Sequence, residues 1–357
     1  MIVVPRKKRK RKVSLIILTV LLIIIAVPGY YQLLYKSPRV DNGFASLDKI
    51  LIHRDRVNSI RFSPGDSLVI TAGVDSAIKI WNRASGVLIK EYRQPSSIAY
   101  MDISGDGLFA VTGNYDAKLR LVQLSDGKVL KEFAGHDGTV WHVAFSHDRK
   151  KIVSGGNDAM VNLWDVETGK LLHQFKGHKR IVWSVKFSAD DQTIASASYD
   201  FTFKLWNVAD GRLVWDNKEH TETVVDLAFS HDGTMLATTS DDKTIKIWQP
   251  ADKSLMKTMK VPEHVQAVEF SPDDNLLMTG GRDKPMIGEL LQNFLGDSEY
   301  NKGVSARLWD VNTGELLQTF TAHANDVMDV AFSHDGNWIA TASADKTAEI
   351  WRVNKKR

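Results

Sequence analysis

"GHDGTVWHVAFSHDRKKIVSGGNDAMVNLWDVETGKLLHQFK", residues 135–176, runs directly into "GHKRIVWSVKFSADDQTIASASYDFTFKLWNVADGRLVWDNK", residues 177–218. Both stretches carry the same features in the same order. Each has four short alternating apolar segments (in the first, "VWHVAF", "KIVSGG", "VNLWDV" and "KLLHQF") separated by turn clusters such as Ser-His-Asp and Glu-Thr-Gly. A repeat of this length means a solenoid or a propeller, and four strands per unit decide for the propeller blade.

The register extends outward in both directions. An aspartate recurs at Asp75, Asp116, Asp158, Asp200, Asp242, Asp283 and Asp345, at spacings of 41, 42, 42, 42, 41 and 62. Four residues before each stands a hydroxyl: Thr71, Thr112, Ser154, Ser196, Thr238, Thr279 and Thr341. Five units place a histidine 28 residues before a tryptophan: His53/Trp81, His136/Trp164, His178/Trp206, His220/Trp248 and His323/Trp351. Unit two departs most, with Gln94 and Val122 at those positions, and unit six has Val261 in place of the histidine.

With Gly-His at 135–136 and 177–178 and Trp-Asp at 164–165 and 309–310, the chain resembles the WD40-repeat β-propeller family over residues 46–357. The resemblance implies an all-β, seven-bladed propeller. The last unit ends after its third strand, and "FASLDKILIH" matches the end of a blade, so residues 46–52 are expected to close the ring as the fourth strand of blade seven.

Blade three thus offers His136, Ser154 and Asp158, the residue types of a serine hydrolase. An active site does not recur in five units of one domain. The resemblance implies instead a buried relay from His through Ser or Thr and Asp to the Trp indole, and an unpaired buried N–H would cost roughly 1–3 kcal/mol. The remaining chemistry is thin. There is no cysteine, so disulfides and thiolate chemistry are excluded. No His/Asp/Glu cluster has metal-ligand spacing, and no glycine pair sits in a phosphate-loop context. The expectation is a chain without catalytic residues, metal or cofactor, its alternative an enzyme or small-molecule sensor using the central channel.

The resemblance puts the loops before the first strand and between the second and third strands on one face, where partners dock. Its positions here are Arg56, Asn58, Tyr115, Trp141, Asn157, Trp183, Tyr199, His264, Arg282, Asp326 and Met328. Tyr115, Trp141, Trp183 and Tyr199 fall on blades two to four and, with Arg282, are the expected contacts for a protein partner. The long spacing after Asp283 marks an insertion, "KPMIGELLQNFLGDSEYNKG" at 284–303, in the loop between the second and third strands of blade six. Met286, Ile287, Leu290, Leu291, Phe294 and Leu295 repeat at helical spacing and predict an apolar stripe that caps the propeller or meets a partner.

The front end differs in kind. Residues 1–12 hold seven bases and no acid, and with a net charge of +3 for the whole chain the rest is mildly acidic, which does not point to nucleic acid. "VSLIILTVLLIIIAVPGYYQLLY", residues 13–35, is uncharged, and as helix it would reach about 34 Å, enough to span a bilayer. A cleaved signal peptide shares the basic start, but this apolar stretch is at the long limit for one. The expectation is a basic cytoplasmic tail (1–12), a transmembrane signal anchor (13–35), a stalk (36–45) and a propeller (46–357) across the membrane. The chain contains no Asn-x-Ser/Thr acceptor, which favours a periplasmic propeller at a bacterial inner membrane, tethered as scaffold or assembly factor to a membrane or envelope complex.

Overall fold

The structure, a computed structural model, describes residues 40–281 and 306–354. They form seven four-stranded antiparallel sheets. Blade 1 consists of Val57–Phe62, Leu68–Gly73, Ala77–Asn82 and Leu88–Arg93 in that spatial order. Blades 2 to 6 repeat the pattern over 98–134, 140–175, 182–217, 224–260 and 265–320. Blade 7 pairs Val327–Phe332, Trp338–Ser343 and Thr347–Val353 with Ala45–Ile52, so the N-terminal strand closes the ring as expected.

Each first strand packs against the first strands of the blades on either side, all seven in a closed ring, so these strands surround the central channel. Every one carries a bulge at the same place, between Val57 and Ser59 in blade 1 and between Val140 and His142 in blade 3. A bulge turns two successive residues against one on the neighbouring strand, and so brings extra side chains to bear on the channel.

The core lies between blades, not within them. Ile70, Ile78 and Ile80 of blade 1 pack on Ile98, Met101, Ala110 and Val122 of blade 2, and the other junctions follow suit. Fully burying one such aliphatic side chain contributes about 1.5–3 kcal/mol. Close approach fixes the Gly-His glycines: a Cβ on Gly135 or Gly177 would lie 2.9 Å from the ring of Trp164 or Trp206.

The Ser-His-Asp turns clasp neighbouring blades. Asp191, at positive φ, accepts from the His147 N–H at 2.9 Å, the Asp148 N–H at 2.9 Å and the His147 ring at 2.8 Å. Asp274 holds His231 in the same way, and Asp66 holds His334 across the closure between blades 7 and 1.

Two expected helices lie elsewhere. The segment 284–303 and the span 13–35 fall outside the described residues, as does Arg282. Among the described residues no helix is long and apolar enough to cross a membrane.

Candidate protein-docking face and channel mouth

In blades 1, 3, 4 and 5 the histidine, hydroxyl, tryptophan and aspartate of the unit do meet, in an order different from the expected one. In blade 3 the Trp164 indole N–H donates to Ser154 Oγ (2.8 Å), which meets His136 Nε2 (2.7 Å), and His136 Nδ1 meets Asp158 (3.0 Å). The aspartate therefore ends the chain on the histidine side, and the hydroxyl alone links histidine to tryptophan. A single direction satisfies every donor: indole to hydroxyl, hydroxyl to neutral imidazole, imidazole to carboxylate. The same four-residue chain runs through His53, His178 and His220. In the closing blade His323 keeps Thr341 and Asp345, but the Trp351 indole N–H has no partner among the described residues.

Burial pulls the His53 and His178 imidazoles below their ordinary value in spite of the aspartates beside them. Burial raises the Asp75 carboxyl, but hydrogen bonds from His53 and the Arg54 N–H outweigh it and hold the group at about 2. Such a pair is a neutral imidazole on a carboxylate, locked by the indole. The Ser154 hydroxyl is fully buried and already bonded twice, so it meets no substrate. Among the described residues no group of three His, Asp or Glu side chains is placed to hold a metal ion.

Because His and Asp tie the loop before the first strand to the loop between the second and third, both loops lie at one end of each blade. At that end Tyr115, Trp141 and Trp183 form a continuous row over three blades. Tyr115 meets Trp141 edge-on at 5.5 Å, and Trp141 meets Trp183 at 4.7 Å. Tyr115 is 37% exposed. Tyr199 stands apart from this row, with the Arg180 guanidinium 5.3 Å over its ring. His264 is tied to Asp241 at 2.9 Å, and neither it nor Asn157 nor Asp326 reaches the channel mouth.

The row borders an open cavity of about 100 Å³ at the mouth of the channel, where Arg56, Asn58 and Met328 also stand as expected. Its floor is what the sequence reading missed: Tyr100, His142 and Asp226. Tyr100 stacks on His142 at 3.7 Å, and its hydroxyl reaches Asp329 and Arg61. Burial, with Lys186 and Arg61 nearby, keeps His142 well below its ordinary value and so uncharged. One strand position holds Ser59, Tyr100, His142, Ser184, Asp226, Ala267 and Asp329. Six polar residues at one position of an apolar strand, repeat after repeat, were the available signal.

The family profile described as "WD domain, G-beta repeat" matches residues 46–82, 127–165, 169–207, 211–249, 254–284 and 314–352, together more than half of the chain. The chain belongs to the WD40 family. Residues 83–126, which hold most of the divergent second blade, fall between two matches.

Among curated relatives, the chain is 33% identical over 98 residues to human "WD repeat-containing protein 3", covering 28% of this chain and 10% of the relative. "Protein HIRA" of Xenopus laevis is 34% identical over 91 residues, 26% of this chain and 9% of its own. A subunit of chromatin assembly factor 1 from Gallus gallus is 31% identical over 97 residues, 26% and 16% respectively. The chain thus spans a small part of these relatives' length. None bears the name of an enzyme, and the relatives support the non-catalytic reading.

The expected setting is corrected by these findings. A single-pass protein of a bacterial inner membrane, with its propeller in the periplasm, has no support: the relatives are human, frog and chicken proteins, and the described chain is built of strands with no spanning helix.

Proposed function

We propose that this WD40 propeller is a non-catalytic interaction scaffold that docks a protein partner on the face carrying the relay histidines and aspartates. The observation that carries this is the aromatic row Tyr115–Trp141–Trp183, which crosses three blades at the channel mouth and is not sealed into an inter-blade core. Trp and Tyr bury much area at low entropic cost, which makes them frequent interface anchors. Tyr199 extends the contact outward. The inserted segment 284–303 enters the same proposal by sequence, since it joins Gly281 to Ala306, the second and third strands of blade 6, as the loops bearing Tyr115 and Tyr199 do in theirs. Partners of the kind the relatives' names suggest are multi-protein assemblies such as a chromatin assembly factor. At this mouth a small-molecule site is disfavoured, because its cavity of about 100 Å³ is below the roughly 300–1,000 Å³ typical of such sites, whereas a separate cavity lined by Asp102, Lys186 and Glu269 of the inner strands has about 330 Å³.

The test is co-purification with three forms of the full chain: wild type, Trp183→Ala combined with Tyr199→Ala, and a deletion of 284–303. A partner held by wild type and lost from the aromatic variant, with melting unchanged, supports the face. Loss from the deletion alone moves the contact to the insertion. Identical partners with all three forms would sink the proposal.

A further inference from the structure

The larger channel cavity lies at the end away from the relay loops. Each first strand starts at those loops and finishes at a tight turn, so a cavity lined by His147 and His231 of two such turns opens on the opposite end. It holds about 330 Å³, within the range typical of small-molecule sites, and draws its walls from blades 2 to 6. One position of the repeat shapes it. The residue before the last of each first strand reads, in ring order, Arg61, Asp102, Ala144, Lys186, Ala228, Glu269 and Ala331. From blade 2 onward charge alternates with alanine, so methyl groups stand where longer side chains would fill the channel.

Most of these charges tie blades together. Arg61 binds Asp329 at 2.8 Å and Asp102 at 3.4 Å. Asp102 also accepts from the Phe145 N–H, and Glu269 Oε1 from the Phe332 N–H, each joining one blade to the next. Two groups are left over. Lys186, partly buried, has the Tyr100 ring 5.6 Å from its Nζ but no acceptor for its ammonium among the described residues. Glu269 Oε2 has no donor among them either. Both side chains line the cavity without meeting, because Ala228 stands between them in the ring. Burial outweighs the pull of Arg61 and Lys186 and raises the Glu269 carboxyl, so a cation brought against it would be bound more strongly. The bland account is a water-filled channel in which both groups keep their hydration. Such a channel gives no reason for a cation at Lys186, which ties no blade to another.

We infer that this cavity binds a free α-amino acid with an apolar side chain, its carboxylate on Lys186, its ammonium on Glu269 and its side chain against the phenylalanines. Phe145, Phe187 and Phe229 supply that apolar wall. The two unused charges are of opposite sign and held apart. A simple anion on Lys186 would face Glu269, and a simple cation on Glu269 would face Lys186, so the pair disfavours both and matches a zwitterion. The inference is independent of the docking face, which lies at the other end of the channel.

The test is isothermal titration calorimetry on the full chain with L-leucine, L-methionine and L-phenylalanine as probes. At least one is expected to bind saturably with a Kd of about 1 mM or tighter. The N-acetyl derivative of the tightest binder lacks the ammonium and its amide lacks the carboxylate, and each should bind about tenfold more weakly than the parent. Lys186→Met keeps the stem and removes the charge. It should weaken binding about tenfold with melting unchanged, because Lys186 ties no blade. Glu269→Gln keeps an acceptor for the Phe332 N–H and should weaken binding to a similar degree. Trp183→Ala with Tyr199→Ala should leave it unchanged. Absence of saturable binding by all three probes, equal binding of either derivative, or full affinity in folded Lys186→Met or Glu269→Gln would overturn the inference.

Discussion

Blades 2 and 3 are neighbours with the same strands, the same bulges and the same length, yet they are held together in opposite ways. Blade 3 runs Trp164, Ser154, His136 and Asp158 into one buried relay. Blade 2 has Val122 for the indole and Gln94 for the imidazole, and its Thr112 hydroxyl turns to the Asn114 amide at 2.9 Å. Asp116, without a histidine to meet, pairs with Arg120 at 2.5 Å, and Arg120 also binds Glu132 at 2.8 Å, which binds Lys118 at 2.7 Å. The relay is therefore one way of pinning the loops of a blade, not a condition of the blade. A buried chain that ends on one carboxylate has been exchanged for an ionic network in which a buried arginine meets two partly exposed carboxylates.

The comparison breaks most visibly at its largest side chain. Trp164→Ala should cost about 3–5 kcal/mol by calorimetry or denaturant titration, since it empties a buried site and takes from Ser154 one of its two partners. Val122→Ala, at the equivalent position, removes much less volume and no hydrogen bond, and should cost about 2 kcal/mol. Equal costs would mean that the inter-blade core, and not the relay, sets the difference.

One step smaller, the two networks should answer differently to salt. His136→Ala leaves Ser154 and Asp158 short of partners and should cost about 2 kcal/mol, with little change between low and high ionic strength. Arg120→Met keeps the aliphatic packing and frees Asp116 and Glu132, whose side chains are 35% and 40% exposed. Its cost should be near 1 kcal/mol and shrink as salt screens the pairs. A salt-dependent His136→Ala would contradict the account of a relay sealed from solvent.

Acid separates them further. His53 and His178 have lowered values in the fold, so the unfolded chain takes up their protons first and stability falls as pH drops from about 6.5. The lowered aspartates Asp75, Asp200, Asp242 and Asp345 add a second loss below about pH 3.8. Asp226 and Glu269, raised by burial, act in the opposite sense but are two against many. The melting temperature should decline from pH 7 to pH 5, less steeply in a His178→Gln variant and unchanged in slope in Arg120→Met.

The fold was legible because the repeat carries its own check. A register read from Asp158 and Asp200 reached Asp75 and Asp345, and the missing last strand pointed to residues 46–52, where Ala45–Ile52 does close blade 7. The mouth aromatics were legible too, because their positions follow from the register. The floor was not. Tyr100, His142 and Asp226 lie on strands that read as ordinary apolar core, and only the ring of first strands turns them toward a shared axis. The clasps at Asp66, Asp191 and Asp274 were hidden for a related reason: each acts on the next repeat, and a pattern read within one unit shows half of it.

The smallest expected effect cuts closest to why blade 2 diverged. Gln94 is 6% exposed and its amide has no partner among the described residues, while Thr112 and Asp116 stand where a relay would need them. Gln94→His supplies the missing member. If Asp116 can serve histidine and Arg120 together, the variant should gain about 1 kcal/mol, since a buried amide without partners is replaced by a bonded imidazole. The indole is still absent, so the gain should not approach what His136 contributes in blade 3. A neutral or destabilising outcome would carry the opposite lesson. Asp116 would then be fully committed to Arg120, and the ionic network would be a replacement that has closed off the older arrangement. Adding Arg120→Met to Gln94→His separates the two: freeing Asp116 should turn a neutral substitution into a stabilising one only if competition for that carboxylate is what kept the relay out.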